Sequence, residues 1–329
     1  MSISTKVMAA AAVALLAGTV QPASAQVVGI ATGQQGSLGF KTGQAVAKVA
    51  NLKAGITARA QPMAGTAAYI PLINKGEVQF GFCNAVEAEY AFSGTGNFEG
   101  KMNPNLRLVG TMFPLNTGLM VVADTGIKTI QDLAKKKDLR IASEYKASNI
   151  IPYYIMGALA NGGMTYDDFP NKVPVSSFVK GMLALGEDKV DVALVSYGSG
   201  AGRKVDAKLR ARGGLKYVSL DNSAEGIAKF KAFLPAGNIV TMKATDKVPG
   251  MQEDVNLVRI PWVMVTHKDT PDDVVYKLTK AVAENKADLG KSFAAFKRAN
   301  AKAMAPANKV PFHPGALKYY KEAGIKVGG

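Results

Sequence analysis

The stretch GIATGQQGSLGFKTG, residues 29–43, decides the fold class. An apolar run typical of a buried strand leads into Gly33, Gly36 and Gly39, after which a helix can begin. Glycines at such a junction bare the N–H groups of a helix N-terminus, which attract an anion. The stretch therefore predicts a strand–loop–helix unit whose loop holds a phosphate, holds a carboxylate, or only makes a tight turn.

Two common nucleotide motifs do not fit this loop. A Walker loop needs adjacent Gly-Lys, but Phe40 separates Gly39 from Lys41. The dinucleotide fingerprint G-x-G-x-x-G fails because Gln34 and Gln35 separate the first two glycines. A carboxylate remains as suitable as a phosphate, since either can accept hydrogen bonds from free N–H groups.

Strand-like and helix-like segments alternate outward from this stretch. The first strands are predicted at 27–32, 56–61 and 78–83, with helices at 40–51 and 66–76 between them. This βαβαβ order predicts a mostly parallel sheet with helices on both faces. Further strands are predicted at 106–113, 119–124, 139–143, 191–196 and 216–220, and further helices at 148–160 and 200–210. Thr129 to Asp132 resembles a capping box in which Asp replaces Glu.

Two distant segments share one layout, which indicates how the chain is divided. Residues 119–135 and 262–280 each contain an apolar strand, an Asp-Thr turn and a helix. We predict an α/β protein of two lobes, each a mainly parallel sheet flanked by helices. Lobe 1 is discontinuous, 26–122 plus 256–329, and lobe 2 is 123–255. A ligand cleft is expected between the lobes, at the carboxyl ends of the strands.

Small polar residues follow most of the predicted strands. Each loop alone is explained as an ordinary helix cap, but together, at one edge of a doubly wound sheet, they predict a pocket for a small anion. The expected ligand-binding residues are Thr32, Gly33, Gln34, Ser37, Gly65, Thr66, Asn84, Tyr145, Lys146, Ser148 and Tyr197.

The charge balance favours an anionic partner. The 329 residues include 40 Lys and Arg against 25 Asp and Glu, a formal net charge of +15. Nucleic acid is not expected as that partner, because the basic residues are scattered and no basic motif is interleaved with aromatics. The densest run, Lys135 to Lys137, is predicted to be the solvated end of a short helix.

The first 25 residues have the pattern of a secretory signal. Lys6 precedes the apolar run 7–20, and Ala23-Ser24-Ala25 offers a cleavage site before Gln26. The apolar run is short for a transmembrane helix, which needs about 20 residues. An uncleaved anchor is the alternative. We expect an exported, periplasmic chain.

Catalytic signatures are missing from the sequence. The two histidines, His267 and His313, lie in no metal-ligand spacing, and no G-x-S-x-G elbow occurs. The single cysteine, Cys83, excludes an intramolecular disulfide and is expected to be a small buried hydrophobe rather than a catalytic thiol. No enzymatic activity, cofactor or metal is predicted.

Four segments resemble the TAXI class of TRAP-transporter solute-binding proteins. They are residues 28–48, 92–114, 248–282 and 312–325. The resemblance spans essentially the whole mature chain and implies a two-lobed periplasmic binding protein of the type II class. We expect it to be a monomer. Such a protein captures a substrate and hands it to TRAP membrane subunits, whose uptake is driven by an ion gradient.

The sequence departs from this class at two loops. The first loop of the class has the pattern T-G-G-x-G-G-x-Y-Y-P. This sequence has Gln34 and Ser37 in place of two of the glycines and Gly39-Phe40 in place of the two tyrosines. Residues 144–146, Glu-Tyr-Lys, are added to a loop that is usually rich in Gly and Ser.

Members of the class are associated with glutamate, glutamine or 2-oxoacids, but no particular ligand is carried over here. Lys146 favours a carboxylate, such as an amino acid, a dicarboxylate or a 2-oxoacid. The alternatives are a sensor of the same fold that presents a metabolite to a membrane receptor, and an enzyme on this scaffold.

Overall fold

A computed structural model describes residues 27–136, 138–235 and 237–328. The predicted signal and cleavage site, together with Lys137, lie outside the described residues. The strands are β1 Val27–Thr32, β2 Thr57–Pro62, β3 Phe80–Asn84, β4 Leu106–Val122, β5 Ile141–Glu144, β6 Lys172–Val175, β7 Ala193–Ser196, β8 Leu215–Tyr217, β9 Asn238–Met242 and β10 Val255–His267. The helices are α1 Leu38–Lys53, α2 Thr66–Asn74, α3 Ala85–Ser93, α4 Ile130–Ala134, α5 Ile151–Asn161, α6 Phe178–Gly186, α7 Gly200–Lys208, α8 Ala224–Lys231, α9 Asp272–Glu284, α10 Lys286–Ser292 and α11 Pro314–Glu322.

The main sheet contains eight strands, six of them in the order β2-β1-β3-β10-β4-β7. β1 pairs in parallel with β2 and β3, as the βαβαβ pattern predicts. β10 runs antiparallel to both β3 and β4, and β4 runs antiparallel to β7 and β8. A second, two-stranded sheet pairs β5 with β6 in parallel. The fold is therefore mixed α/β, with the carboxyl ends of β1, β3 and β7 turned toward a common region.

The segments predicted as separate strands at 106–113 and 119–124 form the single strand β4. Pro114 of β4 lies opposite Pro261 of β10, so two residues without an N–H share one position of the ladder. The register shifts nearby, between Trp262 and Val263. A sequence reading places breaks at proline, whereas here the long strand continues because its proline faces another proline.

Local capping fixes where the helices begin. The Ser37 hydroxyl accepts a hydrogen bond from the Phe40 N–H at 3.0 Å, which starts α1. The predicted capping box is confirmed, since Thr129 and Asp132 each accept from the other's backbone N–H. Five of the six residues of β1 are buried, as expected for a central strand covered on both faces. The boundaries of the two lobes stay a prediction.

Candidate functional site

A cavity lies where the strands of the main sheet end. Its free volume is about 80 Å³, several times the roughly 10–15 Å³ that one water molecule needs. The lining residues are Gly33, Gln34, Ser37, Leu38, Gly39, Ala64, Gly65, Thr66, Tyr69, Asn84, Glu87, Leu115, Thr117, Ser148, Ile150, Ile151, Tyr154, Phe178, Val179, Leu194, Ser196 and Trp262.

The loop after β1 forms one wall and joins it to the opposite side. Ser37, at the start of α1, lies beside Gly33, where an added Cβ would come within 2.9 Å of the hydroxyl. The Gln34 side-chain carbonyl accepts a hydrogen bond from the Ser177 hydroxyl at 2.8 Å. The Gly36 carbonyl accepts from the Ala201 N–H at 3.1 Å. The loops of the two halves of the chain are therefore in contact across the cavity.

The N-terminus of α2 faces the cavity without a cap. Gly65 precedes the helix, and no side chain accepts from its first N–H groups, which leaves them available to an acceptor in the cavity. Gly65 also lies against the loop after β5. A Cβ at this position would fall 2.0 Å from the Ala147 carbonyl oxygen and 2.5 Å from the Ser148 hydroxyl. Only glycine allows the two loops to approach this closely.

A buried carboxyl group, Glu87 in the first turn of α3, lies at the base of the cavity. Its Oε1 accepts from the Thr66 hydroxyl at 2.6 Å and from the Asn97 amide at 3.1 Å. Its Oε2 accepts from the Asn84 amide at 3.3 Å. Burial raises the pKa of Glu87 to about 7, against the lowering effect of the hydrogen bonds from Thr66 and Asn97. The carboxyl group therefore titrates near neutral pH.

The second half of the chain contributes a mostly apolar wall. Its apolar lining residues come from α5, α6 and β7 and the turns before them, and they are Ile150, Ile151, Tyr154, Phe178, Val179 and Leu194. Hydroxyl groups on this side come from Ser148, Ser196 and Tyr154. The cavity is thus polar on one side and apolar on the other.

Two buried donors on the cavity wall are unpaired. The Tyr154 hydroxyl and the Trp262 indole N–H have no hydrogen-bond partner among the described residues. Buried polar groups are normally paired, and each unpaired one costs about 1–3 kcal/mol. A ligand that accepts hydrogen bonds in the cavity would satisfy both groups.

Seven of the predicted residues line the cavity, and four do not. The seven are Gly33, Gln34, Ser37, Gly65, Thr66, Asn84 and Ser148. Of the four, Thr32 is fully buried and its hydroxyl donates to the Gly33 carbonyl at 3.0 Å. Tyr145 is buried against Gly181, and Tyr197 lies under the Arg298 guanidinium at 5.5 Å. The Lys146 side chain is 79% exposed and pairs with Glu144 at 3.5 Å.

The backbone explains why the loop after β5 departs from expectation. Glu144 and Tyr145 both have positive φ, 62° and 51°, which is uncommon for residues other than glycine. Two successive left-handed residues turn the chain sharply. Tyr145 then points into the protein interior and Lys146 into solvent. The sequence contains no glycine here that would have indicated such a turn.

Sequence reasoning missed the residues that give the cavity its chemistry. Glu87, Tyr69, Tyr154 and Trp262 all line the cavity, and none of them is among the residues predicted from the sequence. A usable indication was present for Glu87: an acid in the first turn of a helix, directly after a fully buried strand. For Tyr154 and Trp262 the sequence gives no comparable indication, because aromatic residues in such segments are usually core.

The remaining candidates for chemistry are not among the residues that line the cavity. His313 is fully buried and caps α11 by accepting from the Gly315 N–H at 3.2 Å. His267 accepts from the Asp269 N–H at 3.1 Å. Cys83 is buried within β3, as expected, and burial raises its pKa, which opposes thiolate formation. The described residues contain no cluster of His, Cys, Asp or Glu able to hold a metal ion.

The mixed α/β fold with its flanking helices matches that of periplasmic binding proteins of the type II class. A binding component of a phosphonate ABC transporter from Pseudomonas aeruginosa aligns with a TM-score of 0.54 at 13% identity, over 84% of this chain and 80% of that one. PhnD1 from Prochlorococcus marinus, in complex with methylphosphonate, aligns at 0.53 and 11%, over 92% and 100%. MatC from Rhodopseudomonas palustris, with bound malate, aligns at 0.53 and 15%, over 83% and 92%.

The chain belongs to the NMT1-like family, whose model matches residues 30–324. Within the described parts of the chain, no helix has both the length and the apolar character required to cross a membrane.

Proposed function

We propose that this chain is the solute-binding subunit of a membrane transporter and that it closes around a small carboxylate ligand. The observation that carries the proposal is the cavity itself, enclosed by loops from both halves of the chain and faced by the uncapped N-terminus of α2. Ligands in α/β folds bind at the carboxyl ends of strands, where helix N-termini offer N–H groups to an anion.

The anion would be held without a cationic side chain. No Lys, Arg or His is among the described residues that line the cavity. Because Lys146 faces solvent, we leave it out of the proposed site, together with Thr32, Tyr145 and Tyr197. The N–H groups of α2, with the hydroxyls of Ser37 and Ser148, take its place as donors to the ligand.

The cleft would close on the ligand because the ligand would contact both halves of the chain. A ligand shifts an open–closed equilibrium only by as much as it binds the closed form more tightly. The polar wall comes from the loops after β1, β2 and β3, and the apolar wall comes from α5 and α6. A ligand with contacts to both walls therefore favours the closed form, which is the hinge mechanism of two-lobed binding proteins.

The finer assignment rests on the resemblance of residues 248–282 and the other three segments to TAXI proteins. On that basis we propose a periplasmic monomer, exported by a cleaved signal, that delivers its ligand to TRAP membrane subunits. We propose a binding rather than a catalytic role, since the described cavity wall contains no histidine, cysteine or lysine to form a nucleophile–base pair.

A thermal-shift screen tests the ligand class. Amino acids, monocarboxylates, dicarboxylates and 2-oxoacids are compared with neutral sugars, and each compound that shifts the melting temperature is confirmed by calorimetry. We expect at least one carboxylate to stabilise the protein by the binding relation RT ln(1 + [L]/Kd). A shift with sugars and with no acid would overturn the proposal.

The N-terminus of protein recovered from a periplasmic extract, expected at Gln26, tests export.

A further inference from the structure

We propose that the ligand is a zwitterion, an α-amino acid with an apolar side chain, whose ammonium group binds the Glu87 carboxylate. This inference rests on the proposed function and names the substrate class of the same cavity. It is carried by the juxtaposition of a buried carboxyl group, an uncapped helix N-terminus, two unpaired donors and an apolar wall.

Among the described residues, the Glu87 carboxyl group has no charged partner. It is 1% exposed, and its three hydrogen bonds come from the neutral groups of Thr66, Asn97 and Asn84. No Lys, Arg or His shares the described lining with it. A buried carboxylate is costly unless it is paired, so a cation in the cavity is the group that this position lacks.

The carboxyl group also has room for another donor. An ionised carboxylate offers about four acceptor positions on its two oxygens. From the described residues Oε1 already accepts two hydrogen bonds, whereas Oε2 accepts only the longer one from Asn84, at 3.3 Å. An ammonium group, which has three donors and no acceptor, suits Oε2.

The carboxylate of the ligand has donors immediately beside this point. The Thr66 hydroxyl lies 2.6 Å from Glu87 Oε1, and Thr66 is the first residue of α2, whose N-terminus has no side-chain cap. The place for a cation and the place for an anion are thus next to one another, as the two charged groups of an α-amino acid are. The unpaired Tyr154 hydroxyl and Trp262 N–H are further donors on the wall.

The rest of the ligand would meet apolar surface. Ile150, Ile151, Phe178, Val179 and Leu194 supply no charge to pair with a side chain of either sign. A second carboxylate would be buried without a cation, and a side-chain ammonium would find no second acid among the described lining. An aliphatic or aromatic side chain is therefore favoured over that of glutamate, aspartate or lysine.

The titratable groups that face Glu87 are neutral, so a bound ligand is what would change the ionisation of Glu87. They are the hydroxyls of Tyr69 and Tyr154 and the Cys83 thiol, and burial raises the pKa of each, so all three are neutral. Without ligand the pKa of Glu87 is about 7. A bound ammonium group favours the ionised form, so binding releases a proton when the pH is below that value.

Calorimetry with matched ligands tests the inference on the unmodified protein. L-leucine and L-phenylalanine are compared with 4-methylpentanoate and 3-phenylpropanoate, which lack only the amino group, and with L-glutamate. We expect loss of the amino group to weaken binding by about 10- to 100-fold, the usual worth of a hydrogen bond to a charged group. Affinity for the amino acids should rise from about pH 5.5 to about pH 8.5 with proton release at the lower pH, whereas affinity for the deaminated acids should fall.

The variant Glu87→Gln supplies an independent comparison. It retains an acceptor for Thr66 but carries no charge, so the preference for the amino acid over its deaminated analogue should collapse. Equal or tighter binding of the deaminated acids, or of L-glutamate, by the wild-type protein overturns the inference while the proposed function stands. Binding of neutral sugars alone, with no response to any acid, overturns both. The wild-type comparison decides the matter even if the variant does not fold.

Discussion

The two sets of loops around the cavity differ in chemistry. The loops that follow β1, β2 and β3 place glycine N–H groups, hydroxyls, an amide and the Glu87 carboxyl group on the wall. The second set, the loop after β5 with α5, α6 and the end of β7, places mainly aliphatic and aromatic surface there, and two of its polar residues, Tyr145 and Lys146, point elsewhere. The first set is suited to recognise the polar head of a ligand and the second to cover its apolar body.

This difference separates recognition from closure. A ligand head can bind the first set of loops while the cleft is open, since Ser37, the N-terminus of α2 and Glu87 all lie within residues 33–87. Closing then buries apolar surface against α5 and α6, at about 25 cal/mol per Å² removed from water. Changes to the first set should therefore alter which ligand binds, and changes to the second set should alter how firmly the cleft closes.

The largest effect is expected where the two sets touch, at Gly65. In Gly65→Ala the new methyl carbon would fall 2.0 Å from the Ala147 carbonyl oxygen, a backbone atom that cannot turn aside. The loops should stay apart, and affinity for any ligand found in the screen should fall by about 100-fold or more, a cost typical of overpacking. Calorimetry and the radius of gyration measured by X-ray scattering, with and without ligand, check this.

Gly290→Ala is the matched control. Its Cβ would lie 3.4 Å from a flexible atom of the Lys297 side chain, and Gly290 is in α10, away from the cavity. Affinity should be unchanged. If Gly65→Ala bound as well as this control, the contact between the loop before α2 and the loop after β5 would not belong to the liganded state.

The Glu87 carboxyl group, in the first set of loops, should make the free energy of unfolding of the protein depend on pH. Its pKa is raised from 4.5 to about 7, so the folded protein binds more protons than the unfolded chain between these values. Stability without ligand is therefore lost as the pH rises through this window, by on the order of 3 kcal/mol. Glu87→Gln removes this dependence. The stability of the variant relative to the wild type should therefore increase from pH 5 to pH 8.

Urea unfolding of the ligand-free proteins at the two pH values measures the difference. Glu99→Gln, at an exposed position, serves as the control and should follow the wild type at both pH values. Parallel stability curves for the wild type and Glu87→Gln would show that the Glu87 carboxyl group is not buried as described.

A smaller effect is expected in the second set, at Tyr154. Its hydroxyl has no partner among the described residues, so Tyr154→Phe removes a buried unpaired group and should leave stability equal or slightly higher. Ligand affinity should fall by about 5- to 10-fold, the worth of one hydrogen bond. Tyr166→Phe is the control, because that hydroxyl donates to the Ala142 carbonyl at 3.2 Å and Tyr166 does not line the cavity. Loss of stability without loss of affinity in Tyr154→Phe would contradict a ligand contact.

Sequence reasoning was sufficient for the fold class and for part of the first set of loops, but not for Glu87. Hydrophobic runs and glycine punctuation identified β1, α1 and β3, and parallel strands necessarily bring the residues after them together at one edge. Gly33, Ser37 and Asn84 reach the cavity for this reason. The order of strand, loop and helix fixes their positions without any contact between distant parts of the chain.

The same reasoning could not place the second set. The direction of a loop after a short strand depends on individual φ angles, and the positive φ of Glu144 and Tyr145 leaves no mark in the residue types. Burial is equally hidden, since the buried Glu87 and the partly exposed Glu89 lie in the same short helix and differ in what packs on them. Polar residues in a loop thus predict a site only where the strand before them fixes their direction.

Lys146 provides the smallest expected effect and the sharpest test of that lesson. The net charge and the loop position favour Lys146 as a ligand contact, whereas its side chain is 79% exposed and pairs with Glu144. An exposed charge that does not line the cavity is screened by solvent, so Lys146→Ala should change ligand affinity by less than about 2-fold. Lys180 of α6 is exposed too, and Lys180→Ala should behave alike. A loss at Lys146 that is absent at Lys180 would mean that the loop after β5 turns inward when ligand binds, and that the second set of loops also takes part in recognition.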